Sequence, residues 1–128
     1  MKVLGIGVDI IKNSRIKKSI TSEKFIKRVY SKYEITKSMQ LQNKLGYFSK
    51  RFAAKEAFSK ALGTGFRENL QYKDISIIND KYGKPSLKIN NKLNKILMKK
   101  FTTKKINILL SLSDEKNYSI AFIILEKK

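Results

Sequence analysis

Asp9, Arg51, Glu56 and Lys60 are the residues of this 128-residue sequence whose types and spacing could do chemistry. Glu56 and Lys60 stand one helical turn apart in Arg51-Phe52-Ala53-Ala54-Lys55-Glu56-Ala57-Phe58-Ser59-Lys60-Ala61-Leu62-Gly63-Thr64-Gly65. At about 100° per residue, Ala53, Ala54, Ala57, Phe58, Ala61 and Leu62 share one broad arc of a helix. Glu56 and Lys60 line one edge of that arc, and Arg51 lies near the other. Asp9 comes near the end of an apolar run, Gly5-Ile6-Gly7-Val8-Asp9-Ile10, the pattern of a buried strand delivering a carboxylate to its tip.

An acid and a base at the rim of a buried face suit a metal-and-phosphate site. The plainer reading has Asp9 capping a turn and Glu56 paired with Lys60, worth only a few tenths of a kcal/mol. Against it, acidic residues are scarce, 10 against 29 basic ones. Both carboxylates also sit in apolar, small-residue surroundings where a free charge is costly. A divalent cation bridging them would explain the placement, since magnesium takes one or two carboxylates and fills its shell with water and substrate phosphates. Beside such a site, Lys60 and Arg51 could stabilise charge on a phosphoryl group.

Composition narrows the chemistry further. There is no cysteine and no histidine, which removes disulfides, thiolate zinc sites and every nucleophilic arrangement built on Cys or His. A metal must be held by oxygen, which favours magnesium, calcium or manganese. The length predicts one domain over 1–128. No apolar run approaches the roughly 18 residues of a membrane span, and the N-terminus lacks the layout of a signal peptide. The cytosol is the expected compartment.

A formal charge of +19 attracts polyanions: nucleic acid, acidic membrane, phosphorylated cofactor or acidic protein. Most of it is lysine, with arginine only at 15, 28, 51 and 67. A basic nucleic-acid-binding module would group arginine and aromatic side chains on one face. Here the aromatics look core-directed and no such motif occurs, so no nucleic-acid partner is expected.

The elements that must position these residues follow from periodicity and caps. After the opening strand, segments 13–20 and 22–30 have helical spacing, the latter with Ser22 as its N-cap. Ser31 and Glu34 have capping-box spacing and open a polar helix over about 32–44. The long helix covers about 46–62, ending at Gly63 or Gly65. Strands are predicted at 74–79 and 86–89 around the turn Lys81-Tyr82-Gly83-Lys84-Pro85, then an amphipathic helix at 90–101. Two closing strands, 106–113 and 118–126, complete an α+β domain with antiparallel pairs.

Three stretches together resemble the holo-acyl-carrier-protein synthases, the small phosphopantetheinyl transferases of fatty-acid synthesis. They are Gly5–Ile10, Arg51–Gly65 and Ser111-Leu112-Ser113-Asp114-Glu115, and Asn79–Pro85 fits the family's turn. The resemblance spans essentially the whole chain, with the motifs in order. It implies the small mixed helix and antiparallel-sheet fold of the 4′-phosphopantetheinyl transferases. It implies transfer of the 4′-phosphopantetheine arm of coenzyme A to a serine of apo-acyl-carrier protein, with magnesium, releasing adenosine 3′,5′-bisphosphate. Asp9 and Glu56 would be the metal ligands. Lys60 would lie at the transferred phosphoryl group and Arg51 at cofactor phosphates. Gly63 and the Gly83-Lys84-Pro85 turn would line the cofactor, and Arg15 would meet the acidic carrier protein. A homotrimer with sites between subunits is also implied. The sequence departs from the family at Asp114, where many members carry histidine, which shifts nucleotide-end binding onto Arg51 and neighbouring lysines. Without His or Cys, a carboxylate must accept the serine proton: Glu56 through water, or else Asp9. The rival of another kind is an inactive relative that only binds a carrier protein, which would have no need of Asp9, Glu56 and Lys60 together.

Overall fold

The computed structural model describes residues 2–64 and 70–128. In chain order the elements are β1 (Lys2–Lys12), α1 (Asn13–Ser19), α2 (Glu23–Val29), α3 (Lys32–Ser38) and α4 (Lys44–Leu62). A 3₁₀ turn at Tyr72–Asp74 leads to β2 (Ile75–Asn79), β3 (Pro85–Ile89), α5 (Asn91–Lys100), β4 (Ile106–Asp114) and β5 (Tyr118–Lys127). An antiparallel sheet in the order β1-β5-β4 and the hairpin β2-β3 make the α+β architecture expected from the sequence.

Helix α4 is the axis of the molecule because it is buried on almost every side. Phe48, Phe52, Ala53, Ala54, Ala57, Phe58, Ala61 and Leu62 are all buried, the signature of a core helix. The three-stranded sheet covers one side; α1, α3 and β2 also pack on it.

Two glycines set the spacing between β1 and α4. A Cβ on Gly5 would overlap the carbonyl oxygen of Ala61, and one on Gly7 that of Ala57. Only residues without a side chain let the strand backbone lie directly on the helix backbone. Gly5, Gly7 and Asp9 share a strand face, and that face descends α4 from Ala61 to Ala57. Asp9, two residues further, therefore arrives beside the turn of α4 that carries Glu56.

Several boundaries differ from the sequence reading. The helix predicted over 32–44 stops at Ser38, whose hydroxyl donates to the Ile35 carbonyl at 2.6 Å. Asn43 then starts a new helix by accepting from the Gly46 amide at 3.1 Å. At the far end Gly63 caps α4 with φ +81°, while Gly65 lies outside the described residues.

The opening strand is buried on one face only. Ile6, Val8 and Ile10 stand more than half exposed on the other. In β5 the small residues Ser119 and Ala121 point into the core, and the larger Ile120 and Phe122 point out. Further along the same inner face Ile123 and Leu125 are fully buried. Among the described residues no helix is long and apolar enough to cross a membrane.

Candidate active site

β1 and α4 meet at Asp9 and Lys60. The Lys60 ammonium donates to Asp9 Oδ1 at 3.0 Å and to the Val8 carbonyl at 3.1 Å. The lysine side chain is largely solvated, whereas that of Asp9 is only 13% exposed. Asp9 Oδ2 is buried and receives no hydrogen bond among the described residues.

Glu56 does not make the one-turn pair with Lys60 that its spacing suggests. The Tyr72 hydroxyl donates to Glu56 Oε1 at 2.8 Å, so Lys60 turns to the strand and Glu56 to the 3₁₀ turn. Burial, reinforced by this carboxylate, pushes the Tyr72 phenol above its ordinary range and keeps it a donor. The sequence reading missed Tyr72. Its distance of 16 positions from Glu56 leaves no periodic signal.

These donors suit a hard cation. Among the described residues no cluster of three or more His, Cys, Asp or Glu exists, so a dedicated all-protein cage is absent. Two carboxylates, one of them with a buried unpartnered oxygen, are what magnesium accepts when water and substrate phosphates supply the remaining ligands.

Arg51 lies on the same helix but in a separate chamber, five residues from Glu56 and so about 7.5 Å along the axis. It lines a cavity of about 440 Å³ with Tyr33, Lys37, Tyr47, Lys50 and Asn79. Its guanidinium stacks over the Tyr47 ring at 3.6 Å and donates to the Tyr47 carbonyl and the Asn79 side chain. Burial pulls its pKa below the ordinary value, opposed by Tyr47 and Glu34. Arg51 Nε and the Tyr47 hydroxyl are buried without partners among the described residues.

Asn79 couples this chamber to the hairpin turn. Its amide donates to the Gly83 carbonyl at 2.9 Å, while Asp80 Oδ1 accepts from the Tyr82 and Lys84 amides at 2.8 and 2.9 Å. Gly83 sits at φ +85°, Lys84 is exposed, and Pro85 opens β3. Asp114, at the end of β4, lies 3.9 Å from the Lys50 ammonium. The acid at this position therefore faces a cation at the cavity rim.

The remaining candidates are placed apart. Gly63 is exposed, and none of the described residues comes within 4 Å of where its Cβ would be. Arg15 is exposed on α1 beside Lys17 and Lys18, and it joins neither chamber.

Residues 5–123 match the model of the 4′-phosphopantetheinyl transferase superfamily. The chain belongs to that superfamily. It is similar to the holo-[acyl-carrier-protein] synthase of Pelagibacter ubique, 59% identical over 128 residues and covering the whole of both chains. That of Ehrlichia chaffeensis is 45% identical over 130 residues, covering 96% of each. Among solved structures, the Neisseria meningitidis synthase superposes with a TM-score of 0.85 at 35% identity, covering 98% of this chain and 99% of that one. The Bacillus anthracis synthase, in complex with CoA (3′,5′-ADP), gives 0.83 at 32% identity over the whole of both chains. The chain's mixed helix and antiparallel-sheet architecture is that of these synthase structures.

Proposed function

We infer that this chain is a holo-acyl-carrier-protein synthase. It transfers the 4′-phosphopantetheine arm of coenzyme A to a serine of apo-acyl-carrier protein and releases adenosine 3′,5′-bisphosphate. The observation that carries the site assignment is the buried, unpartnered Asp9 Oδ2 on β1, beside the ammonium of Lys60, which stands one turn of α4 from Glu56.

In this reading Asp9 and Glu56 hold magnesium. Bound between them, magnesium would supply charge neutralisation for the pyrophosphate of coenzyme A. Lys60, solvated at its end, turns from Asp9 to the transferred phosphoryl group and stabilises the charge that develops there. Glu56, through a water molecule, takes the proton of the attacking serine hydroxyl; Asp9 is the alternative acceptor. The Arg51 chamber takes the nucleotide end, with Arg51 on a phosphate and Gly83, Lys84 and Pro85 along the base. Gly63 borders the arm where α4 ends.

Partner and assembly follow from the surface. Both coenzyme A and the carrier protein are anionic, and a chain of charge +19 speeds their encounter. Arg15, exposed with Lys17 and Lys18, docks the carrier's acidic surface. The sheet leaves Ile6, Val8, Ile10, Ile120 and Phe122 exposed on its outer face, and a rimmed apolar patch of this kind marks an interaction surface. Other copies of the chain cover it in a homotrimer with its sites between subunits. The enzyme works in the cytoplasm.

The test is to incubate the protein with apo-acyl-carrier protein, coenzyme A and magnesium, then weigh the carrier by mass spectrometry. A gain of one phosphopantetheine arm, lost with EDTA or in Asp9→Asn, supports the reading. No gain, with the carrier modified normally by another transferase, would leave an inactive carrier-binding relative.

A further inference from the structure

Tyr72 is tied to α4 at both ends of the residue. Its carbonyl accepts from the Lys55 ammonium at 3.2 Å. Its ring stacks on Phe52 with centroids 5.8 Å apart and planes 15° from parallel. Its hydroxyl reaches Glu56 Oε1 at 2.8 Å. Phe52, Lys55 and Glu56 are at i, i+3 and i+4, neighbours on one stripe of the helix, and Tyr72 lies across all three.

This fixes a side chain that would otherwise have several choices. Glutamate has three rotatable bonds, and a one-turn pair with Lys60 is its ordinary partner in a helix. The Tyr72 hydroxyl instead engages one carboxylate oxygen, while Lys60 is held by Asp9 and Val8. We propose that Tyr72 is a positioning residue: its hydroxyl holds the Glu56 carboxylate apart from Lys60 and aimed for a divalent cation shared with Asp9.

A hydrogen bond from outside the ligand set orients a carboxylate and typically changes metal affinity or activity by about 10- to 100-fold. The inference rests on the metal assignment of Glu56, so the experiment must separate the two. Manganese, a paramagnetic hard cation, is titrated into the protein with saturating coenzyme A and no carrier, and free ion is read by electron paramagnetic resonance. Tyr72→Phe keeps the ring on Phe52 and removes only the hydroxyl. Its manganese Kd is expected to rise about tenfold, with coenzyme A affinity in the absence of metal unchanged. Glu56→Gln sets the floor, and the double variant should bind no worse than Glu56→Gln alone.

If Glu56→Gln binds manganese like the wild type, the metal assignment itself fails. If Glu56→Gln loses binding but Tyr72→Phe does not, the positioning role is overturned. Additive losses in the double variant would also overturn it, because Tyr72 would then act other than through Glu56. The double-variant comparison remains decisive even if Tyr72→Phe lowers the thermal midpoint.

Discussion

The Lys55 ammonium and the Glu34 carboxylate meet at 2.6 Å with neither side chain reaching solvent. Lys55 also donates toward the carbonyls of Val29 and Ile75, both at 2.8 Å, besides that of Tyr72. Glu34 returns the favour to the backbone, accepting from the Ser31 and Ile77 amides at 2.9 Å each. One ion pair thus joins α2, α3, α4 and β2. Lys55→Met should lower the unfolding free energy by about 3–5 kcal/mol, the cost of a stranded buried charge. Replacing both partners, as Lys55→Met with Glu34→Gln, should recover only part of this. The carbonyls of Val29, Ile75 and Tyr72 would still lack the Lys55 donor, and a buried acceptor left without its partner is costly. Urea unfolding of the two variants gives the comparison, and full recovery in the double variant would refute the backbone role.

Asp74 makes acid stability partly a single-residue matter. Burial alone would raise its carboxyl, but hydrogen bonds from Lys92, the Gln71 amide and Asn90 outweigh that and hold it below its ordinary 3.8. The folded carboxylate thus binds its proton less readily than the unfolded one. Its stabilisation is present above pH 3.8 and is lost as pH falls through the lower folded value. Asp74→Asn should lower stability at neutral pH by about 1.5–3 kcal/mol and flatten the decline below pH 3.8. An unfolding free energy measured against pH for both proteins decides it; parallel acid limbs would contradict the assignment.

Gly7→Ala tests the contact that brings Asp9 to α4. The new methyl would overlap the Ala57 carbonyl, which is helix backbone and cannot yield as a side chain could. Overpacking of this kind costs about 1–3 kcal/mol. The strand should lift from the helix and carry Asp9 with it, so magnesium activation should shift to higher concentration as well. Loss of stability with an unchanged magnesium response would mean that Asp9 is placed by something other than this contact.

Charge reversal at Arg15 separates docking from chemistry. The residue is exposed on α1 and touches neither chamber. Arg15→Glu should raise KM for the carrier protein about tenfold, while kcat and KM for coenzyme A stay within a factor of two; one lost charge contact near 1.4 kcal/mol corresponds to that ratio. Steady-state kinetics with each substrate varied in turn is the check. Equal changes in both constants would take Arg15 off the docking surface.

What could be read from the residues was local or periodic. The capping box at Ser31, the arc of alanines on α4, the glycine alternation of β1 and the hairpin turn each carry a pattern within a few positions. The pairing of Lys60 with Asp9 spans 51 positions and that of Tyr72 with Glu56 spans 16. Such contacts depend on where α4 lies against its neighbours, which no local pattern encodes. Glu34 shows the boundary within one residue: its cap on Ser31 was legible, and its bond to Lys55 was not. The outer face of β1 shows another. Apolar residues there look the same in sequence whether this chain or a second copy buries them.

That ambiguity can be resolved at Phe122. It stands on β5, the middle strand, opposite Val8 of β1 and Ser111 of β4, and is 40% exposed. In an isolated chain a polar residue at such a surface position changes stability by within about 0.5 kcal/mol. In an assembly the same position is buried against a neighbour, where an unpaired carboxylate is costly. Phe122→Asp should therefore leave the far-ultraviolet circular dichroism of the folded chain intact while converting a three-copy species to single chains in sedimentation velocity. Transfer activity should fall with it, since the proposed sites draw residues from two copies. A wild-type protein that sediments as a single chain at working concentration would remove the assembly from the proposal. An active, dissociated Phe122→Asp variant would place each site within one chain.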